Sequence, residues 1–222
     1  MCTRIAFFSQ ADLARLLPGL IDSLPVEERF NVAPSQHLKV VLNVGQRELV
    51  EARWGLIPHW AKDPSIAQKL INARSETIGE KPSFRLAVRR QRCLIWVSGF
   101  YEWTSLPGRK GRCPLFFTLK SGDPFAFAGL WNRWKAPDDD QPLLTATIVT
   151  TSANALIGLY HNRMPVIVPP SRYEEWLTPE ECDPQDFASL FQPYPPGEMQ
   201  VRFVSTMVNN PRNDRREVLE EA

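Results

Sequence analysis

Arg92-Cys93-Leu94-Ile95-Trp96-Val97-Ser98-Gly99-Phe100-Tyr101-Glu102-Trp103 is the stretch from which the fold is read. Five apolar residues in succession, Cys93–Val97, show no polar alternation, so they are expected to form a central strand covered on both faces. Ser98-Gly99 punctuates the run, and Phe100-Tyr101-Glu102-Trp103 then sets one carboxylate among bulky aromatics. If partly withdrawn from water, Glu102 holds its proton to higher pH than an ordinary glutamate and suits general acid and base work. On an alternating strand with a wet face it is a plain surface residue.

Towards the N-terminus, Leu38–Val44 and Glu48–Arg53 read as strands joined through Gly45-Gln46 in a hairpin. Residues 9–23 read as a helix capped by Ser9, with Leu13, Leu16, Leu17 and Leu20 at helical spacing and Pro18 kinking or ending it. Asn31-Val32-Ala33-Pro34 reads as a turn, because Pro34 biases Ala33 towards extended geometry. Trp54 and Trp60 bracket an irregular segment, where each ring is either a core plug or a surface on which a nucleobase stacks. Asn72 and Arg74, two apart, face one side of an extended segment and offer an amide and a guanidinium fork. Residues 82–91 read as a helix exposing Arg85, Arg89 and Arg90.

Towards the C-terminus, Gly108–Arg112 with Lys110 reads as a basic loop and Asp138–Asp140 as a solvated one. Strands are expected at Leu115–Leu119, Phe125–Leu130, 143–150, Val166–Val168 and Met199–Val204. Ser152 is expected to cap a short helix over 153–160 that delivers His161 beside Arg163. Further helices are expected within 169–177 and 183–191, with a loop at 193–197.

The 222 residues, 43% apolar and 23% charged, suit one domain over 2–212 with a loose end at 213–222. A net charge of +1 excludes bulk attraction to polyanions and leaves only a local patch to hold one. Cysteines at 2, 93, 113 and 182 form no C-x-x-C pair and the three histidines are scattered, so neither a metal site nor a cofactor is expected. No stretch approaches the ~20 apolar residues of a membrane span and no signal peptide is read, which points to a reducing cytoplasm.

Met1-Cys2-Thr3-Arg4 is the stretch with the most distinctive chemistry. Removal of Met1 would leave Cys2 with both a thiol and a free α-amine. An α-amino group titrates near pH ~7.7–8.0, so a useful fraction is a neutral nucleophile at neutral pH. With an aldehyde the amine gives a Schiff base, and the thiol can close onto the imine carbon as a five-membered thiazolidine. The bland alternative is a frayed terminus.

Cys2 with Arg4, Asn31-Val32-Ala33-Pro34, Trp54-Gly55, Pro58, Asn72-Ala73-Arg74-Ser75-Glu76-Thr77, Gly99–Trp103 and His161-Asn162-Arg163-Met164-Pro165, in this order and spacing, together resemble the SOS response-associated peptidase (SRAP) family. The resemblance implies an α+β fold, a single mixed domain around a largely antiparallel, barrel-like sheet with peripheral helices. It also implies self-sacrificing capture of abasic sites in single-stranded DNA, acting as a monomer. By resemblance Cys2 is the crosslinking residue, with Asn72, Glu102 and His161 as its companions. Arg4, Arg74, Thr150 and Arg163 stand where the family contacts the DNA backbone, and Asn31, Pro34 and Trp60 where it wedges or stacks at the lesion. Two positions depart from the family pattern: Thr3 replaces a common Gly, and Ala61 replaces an aromatic found near Trp60 in some members. Two other readings compete: an N-terminal-nucleophile peptidase using the Cys2 thiolate, and a non-covalent single-strand binder using Trp60 and the arginines.

Overall fold

The computed structural model describes residues 2–8, 13–22, 27–108, 111–136 and 140–221. The expected Ser9 cap, Lys110 and most of the Asp138–Asp140 run lie outside the described residues. Fourteen strands follow in chain order: β1 Ile5–Phe7, β2 Leu20–Asp22, β3 Arg29–Val32, β4 His37–Asn43, β5 Arg47–Trp54, β6 Asn72–Arg74, β7 Arg92–Val97, β8 Gly99–Ser105, β9 Arg112–Leu119, β10 Phe125–Trp134, β11 Leu143–Ser152, β12 Arg163–Pro165, β13 Ile167–Val168 and β14 Met199–Phe203. The helices are short: α1 Leu13–Leu16, α2 Ala87–Arg90 and α3 Tyr173–Leu177, supplemented by 3-10 turns. The architecture is mixed α+β.

One sheet has five strands in the order β14-β9-β8-β1-β3, all antiparallel. The other runs β12-β11-β10-β7-β4-β5-β2 and closes on itself, because β11 also pairs β5 in parallel through Thr145 with Arg53 and Ala146 with Trp54. Strands β11, β10, β7, β4 and β5 thus form a ring. β6 attaches in parallel to β11, setting Asn72 opposite Ile148 and Arg74 opposite Thr150.

The apolar run of β7 is explained by its two neighbours. Cys93, Ile95 and Val97 point into one core, with Val40, Phe100, Phe117 and Phe127, while Leu94 and Trp96 point into a second, with Tyr173, Trp176 and Phe187. A strand buried on both faces has no use for polar alternation. The hairpin between β4 and β5 turns at Gly45, whose φ of 105° only glycine adopts freely.

Helix lengths depart from the sequence reading. Among the described residues of the helix expected over 9–23, only Leu13–Leu16 is helical, and after Pro18 the chain turns at Gly19 into β2. The helix expected over 82–91 is reduced to α2, a single turn. The turn before His161 is capped by Asn154, whose Oδ1 accepts from the N–H groups of Leu156 and Ile157, while Ser152 belongs to β11. Within residues 213–221, expected to trail loose, Asp214 and Val218 are anchored to the body of the protein. Asp214 accepts from the N–H groups of Phe30 and Asn31 and pairs with Arg29, and Val218 is buried in a third core with Val204 and Val208.

Candidate active site

Strand β1 places the N-terminal residues. Ile5 pairs Phe100 and Tyr101 N–H donates to Arg4 O at 3.0 Å, so the segment before Ile5 runs beside the strand that carries Glu102. From the other sheet, Asn72 Nδ2 donates to Cys2 O at 2.8 Å. Cys2 is fully buried, its thiol against Arg4 O at 3.8 Å. Burial pushes this thiol well above the ordinary cysteine range.

Glu102 is 5% exposed. Desolvation pushes its carboxyl above the ordinary glutamate value, with His161 and Arg112 pulling partly the other way. Strand β8 gives this arrangement its logic: Phe100 and Tyr101 are in the core, and Glu102, opposite Leu115 of β9, is carried into the same dry environment.

His161 follows the 3-10 turn Ile157–Leu159, tied back by its own N–H to Ile157 O at 2.9 Å. Its Nδ1 lies 3.0 Å from the Arg163 N–H and 3.2 Å from Arg163 O. The amide nitrogen can only donate and the carbonyl oxygen can only accept, and the shorter contact, with the amide, favours Nδ1 as acceptor and the tautomer with its proton on Nε2. Asn72 Oδ1 is buried without a hydrogen-bond partner among the described residues. Cys2, Asn72, Glu102 and His161 therefore converge from four separate parts of the chain: a thiol, an amide with an unused acceptor, a carboxyl whose pKa is raised by burial and an oriented imidazole.

The other expected site residues divide by exposure. Arg74 is exposed beside half-buried Asn72, and Ala73 between them is buried, which is the alternation expected of an extended segment. Trp60 is 48% exposed, its indole N–H 3.4 Å from Pro82 O, whereas Trp54 is a core plug donating to Ile71 O at 2.9 Å. Pro34 is half-buried and leads into Ser35, whose φ of 75° closes the turn.

Four residues expected to touch DNA are hydrogen-bonded to protein groups. Asn31 is wholly buried: its Nδ2 donates to the carbonyls of Val208, Asn210 and Asn213, and its Oδ1 accepts from Arg4 at 2.5 Å. It has no face to offer a lesion and acts as a brace. Arg4 also donates to Val208 O at 2.7 Å and lies 5.6 Å over the Trp103 ring. Thr150 is buried and donates to Ala73 O. Arg163 grips both carboxylate oxygens of Glu76 and donates to Thr150 O at 2.7 Å. Glu76 and the 208–214 brace escaped the sequence reading, since nothing in their letters reveals partners up to 204 residues away.

A cavity of about 450 Å³, lined in part by Leu16, Phe125, Tyr173 and Tyr194, includes none of the four converging residues. It gathers no comparable chemistry. Among the described residues no cluster of His, Cys, Asp and Glu could hold a metal, and no helix is long and apolar enough to cross a membrane.

Comparison with known proteins agrees on one lineage. The family profile described as SOS response associated peptidase (SRAP) matches residues 1–211. The abasic site processing protein YoqW of Bacillus subtilis is 44% identical over 99% of both chains. The abasic site processing protein HMCES of Gallus gallus is 31% identical over 83% of this chain and 60% of its own. A solved protein from Bordetella bronchiseptica superposes with a TM-score of 0.77 at 27% identity, covering 92% of this chain and all of that one. One from Bacteroides thetaiotaomicron, 24% identical, superposes over the whole of both chains with a TM-score of 0.88 and so shares the fold.

Proposed function

The chain belongs to the SOS response-associated peptidase family, and from that premise and the geometry around Cys2 we propose that it captures abasic sites in single-stranded DNA as a covalent adduct, shielding the lesion. The observation that carries this reading is the convergence of Glu102, His161 and Asn72 on Cys2. The relatives named abasic site processing proteins support the substrate.

An abasic deoxyribose equilibrates with an open-chain aldehyde at C1′. After loss of Met1, the Cys2 amine attacks this carbon, with Asn72 holding it in line. Protonated Glu102 donates to the departing hydroxyl, which leaves as water, and takes back a proton from nitrogen as the imine forms. His161 assists ring opening by hydrogen-bonding the sugar hydroxyl through Nε2–H. The thiol then adds across the imine: sulfur bonds to carbon and its proton ends on nitrogen. Aldehyde plus aminothiol gives thiazolidine plus water. Closure protects the strand, because an open imine is prone to β-elimination. The main contribution of the protein is positioning, for which effective molarity can supply about 7–11 kcal/mol.

The raised thiol favours this order of events over peptidase chemistry. A cysteine peptidase attacks as thiolate, and burial beside Glu102 opposes that form. An amine-first route needs the thiol only after the imine has drawn it in.

The test compares purified protein with single-stranded DNA carrying one abasic site and with the intact strand, read by mass. Expected is one adduct per lesion on the abasic strand alone. Cys2→Ser should yield at most an adduct that requires borohydride to survive, and a heat-stable adduct without reduction would remove the thiazolidine step. Normal capture by protein that retains Met1 would overturn the mechanism as a whole.

A further inference from the structure

We infer that Glu76 is a positioning residue of this site: by clamping the Arg163 guanidinium it locks the element carrying His161 to the element carrying Asn72. This rests on the capture chemistry proposed above. Glu76 sits in the 3-10 turn Ser75–Thr77, which follows Asn72–Arg74 without a break. Arg163 opens β12, two residues after His161. Its two terminal nitrogens take both Glu76 oxygens, the second at 2.9 Å, and the second nitrogen also reaches Thr150 O at 2.7 Å and Thr150 Oγ1 at 3.3 Å. One guanidinium thereby ties β12, β11 and the turn after β6.

The geometry supports this role. The Arg163 side chain is only 12% exposed, and each of its terminal nitrogens donates to protein. Its main-chain N–H, 3.0 Å from His161 Nδ1, is closer to that nitrogen than its carbonyl at 3.2 Å and so favours the tautomer with the proton on Nε2. Anything that frees the Arg163 side chain loosens the start of β12, and with it the donor that keeps the His161 proton on Nε2. Planar bidentate pairing is what makes an arginine hold a fixed orientation, and a neutral amide in place of the carboxylate gives up half of it.

The experiment uses Glu76→Gln, with Glu76→Asp as a second variant that keeps the charge but draws it back by one methylene. Half-exposed Glu76 makes both tolerable to the fold. At saturating abasic DNA the crosslinking rate of Glu76→Gln should fall about tenfold or more, as expected when a reacting group loses its alignment. Half-saturation should move less than about twofold. Nitrogen-15 spectra of His161 without DNA should show the single Nε2–H tautomer in the wild type and a mixture in the variant, with Glu76→Asp between. An unchanged rate and a single tautomer would overturn the inference. So would tighter DNA binding with a steeper salt dependence, which would make Glu76 a competitor of phosphate for Arg163. If wild-type protein forms no adduct at all, the capture reading fails on its own, and the DNA-free spectra still decide the part played by Glu76.

Discussion

Glu102 is held under opposed demands. In the proposed mechanism its carboxyl donates a proton to release water from the carbinolamine, and the same desolvation that raises its pKa makes the ionised form costly to fold. Its folded-state pKa lies above the unfolded one, so between the two values the native chain holds a proton that the unfolded chain has released. Stability from this group is intact below the ordinary glutamate range and is lost as pH rises through the window. Glu102→Gln removes the titration. We expect it to unfold at about the same temperature as wild type near pH 4 and at a higher one near pH 8, by about 2–4 °C for each kcal/mol recovered. Crosslinking should slow while DNA affinity stays. A variant less stable at both pH values, with weakened binding, would make Glu102 a structural residue. A carboxylate wedged among Phe100, Tyr101 and Trp103 could be read as perturbed from the letters alone. Asn31 could not, because the Val208, Asn210 and Asn213 carbonyls that consume its amide lie at least 177 residues away.

At the scale of the element, β7 shows which signals survive in sequence. Its unbroken apolar run required cover on both faces, and both cores are present. Helices were overread, because leucines at helical spacing also suit a single turn followed by a strand, and tertiary contacts decide between them. Gly99, at the corner from β7 to β8, reads as simple punctuation, yet a Cβ there would stand 2.4 Å from Phe116 Cζ and 2.7 Å from Phe117 O. The corner is tight because β9, the antiparallel neighbour of β8, brings Phe116 and Phe117 against it. Arg92 at the start of β7 has a similar hidden role. Buried, it fans its donors to the carbonyls of Val88 at 2.9 Å, Trp176 at 3.0 Å and Glu180 at 3.0 Å, and to those of Arg89 and Thr178. These bonds satisfy the ends of α2 and α3. Arg92→Lys offers three donors from one point and cannot span them. The expected loss is about 2–4 kcal/mol in urea unfolding, from carbonyls left unpaired. A loss under about 0.5 kcal/mol, the level of an ordinary surface change, would show that water replaces the fan.

At the scale of the molecule, a net charge of +1 conceals an uneven distribution. Between residues 59 and 92 there are eight Lys and Arg against three Asp and Glu. Arg89 and Arg90 are paired with Asp183 and Glu181, and Arg92 is buried. Lys62, Lys69, Arg74, Lys81 and Arg85 remain exposed, with no ion pair among the described residues. Composition alone pointed only to some local patch. The fold supplies its place, because β6 carries Arg74 to the ring strand β11 beside Asn72, on the side of the molecule where Cys2 is held. The ring closure through β5 and β11 was not legible, since parallel pairing between strands about 90 residues apart leaves no local trace. Phosphate contacts release counterions, so each one lost from a single-strand binder should flatten the plot of log affinity against log salt by about 0.7. Arg74→Ala should weaken the encounter with abasic and intact strands alike and reduce that slope by about this amount, measured on the intact strand, which offers no aldehyde for capture. The completed adduct of the unaltered protein should be indifferent to salt, being held by bonds rather than by charge. A slope unchanged by Arg74→Ala would move the DNA path off this patch and onto another face of the ring.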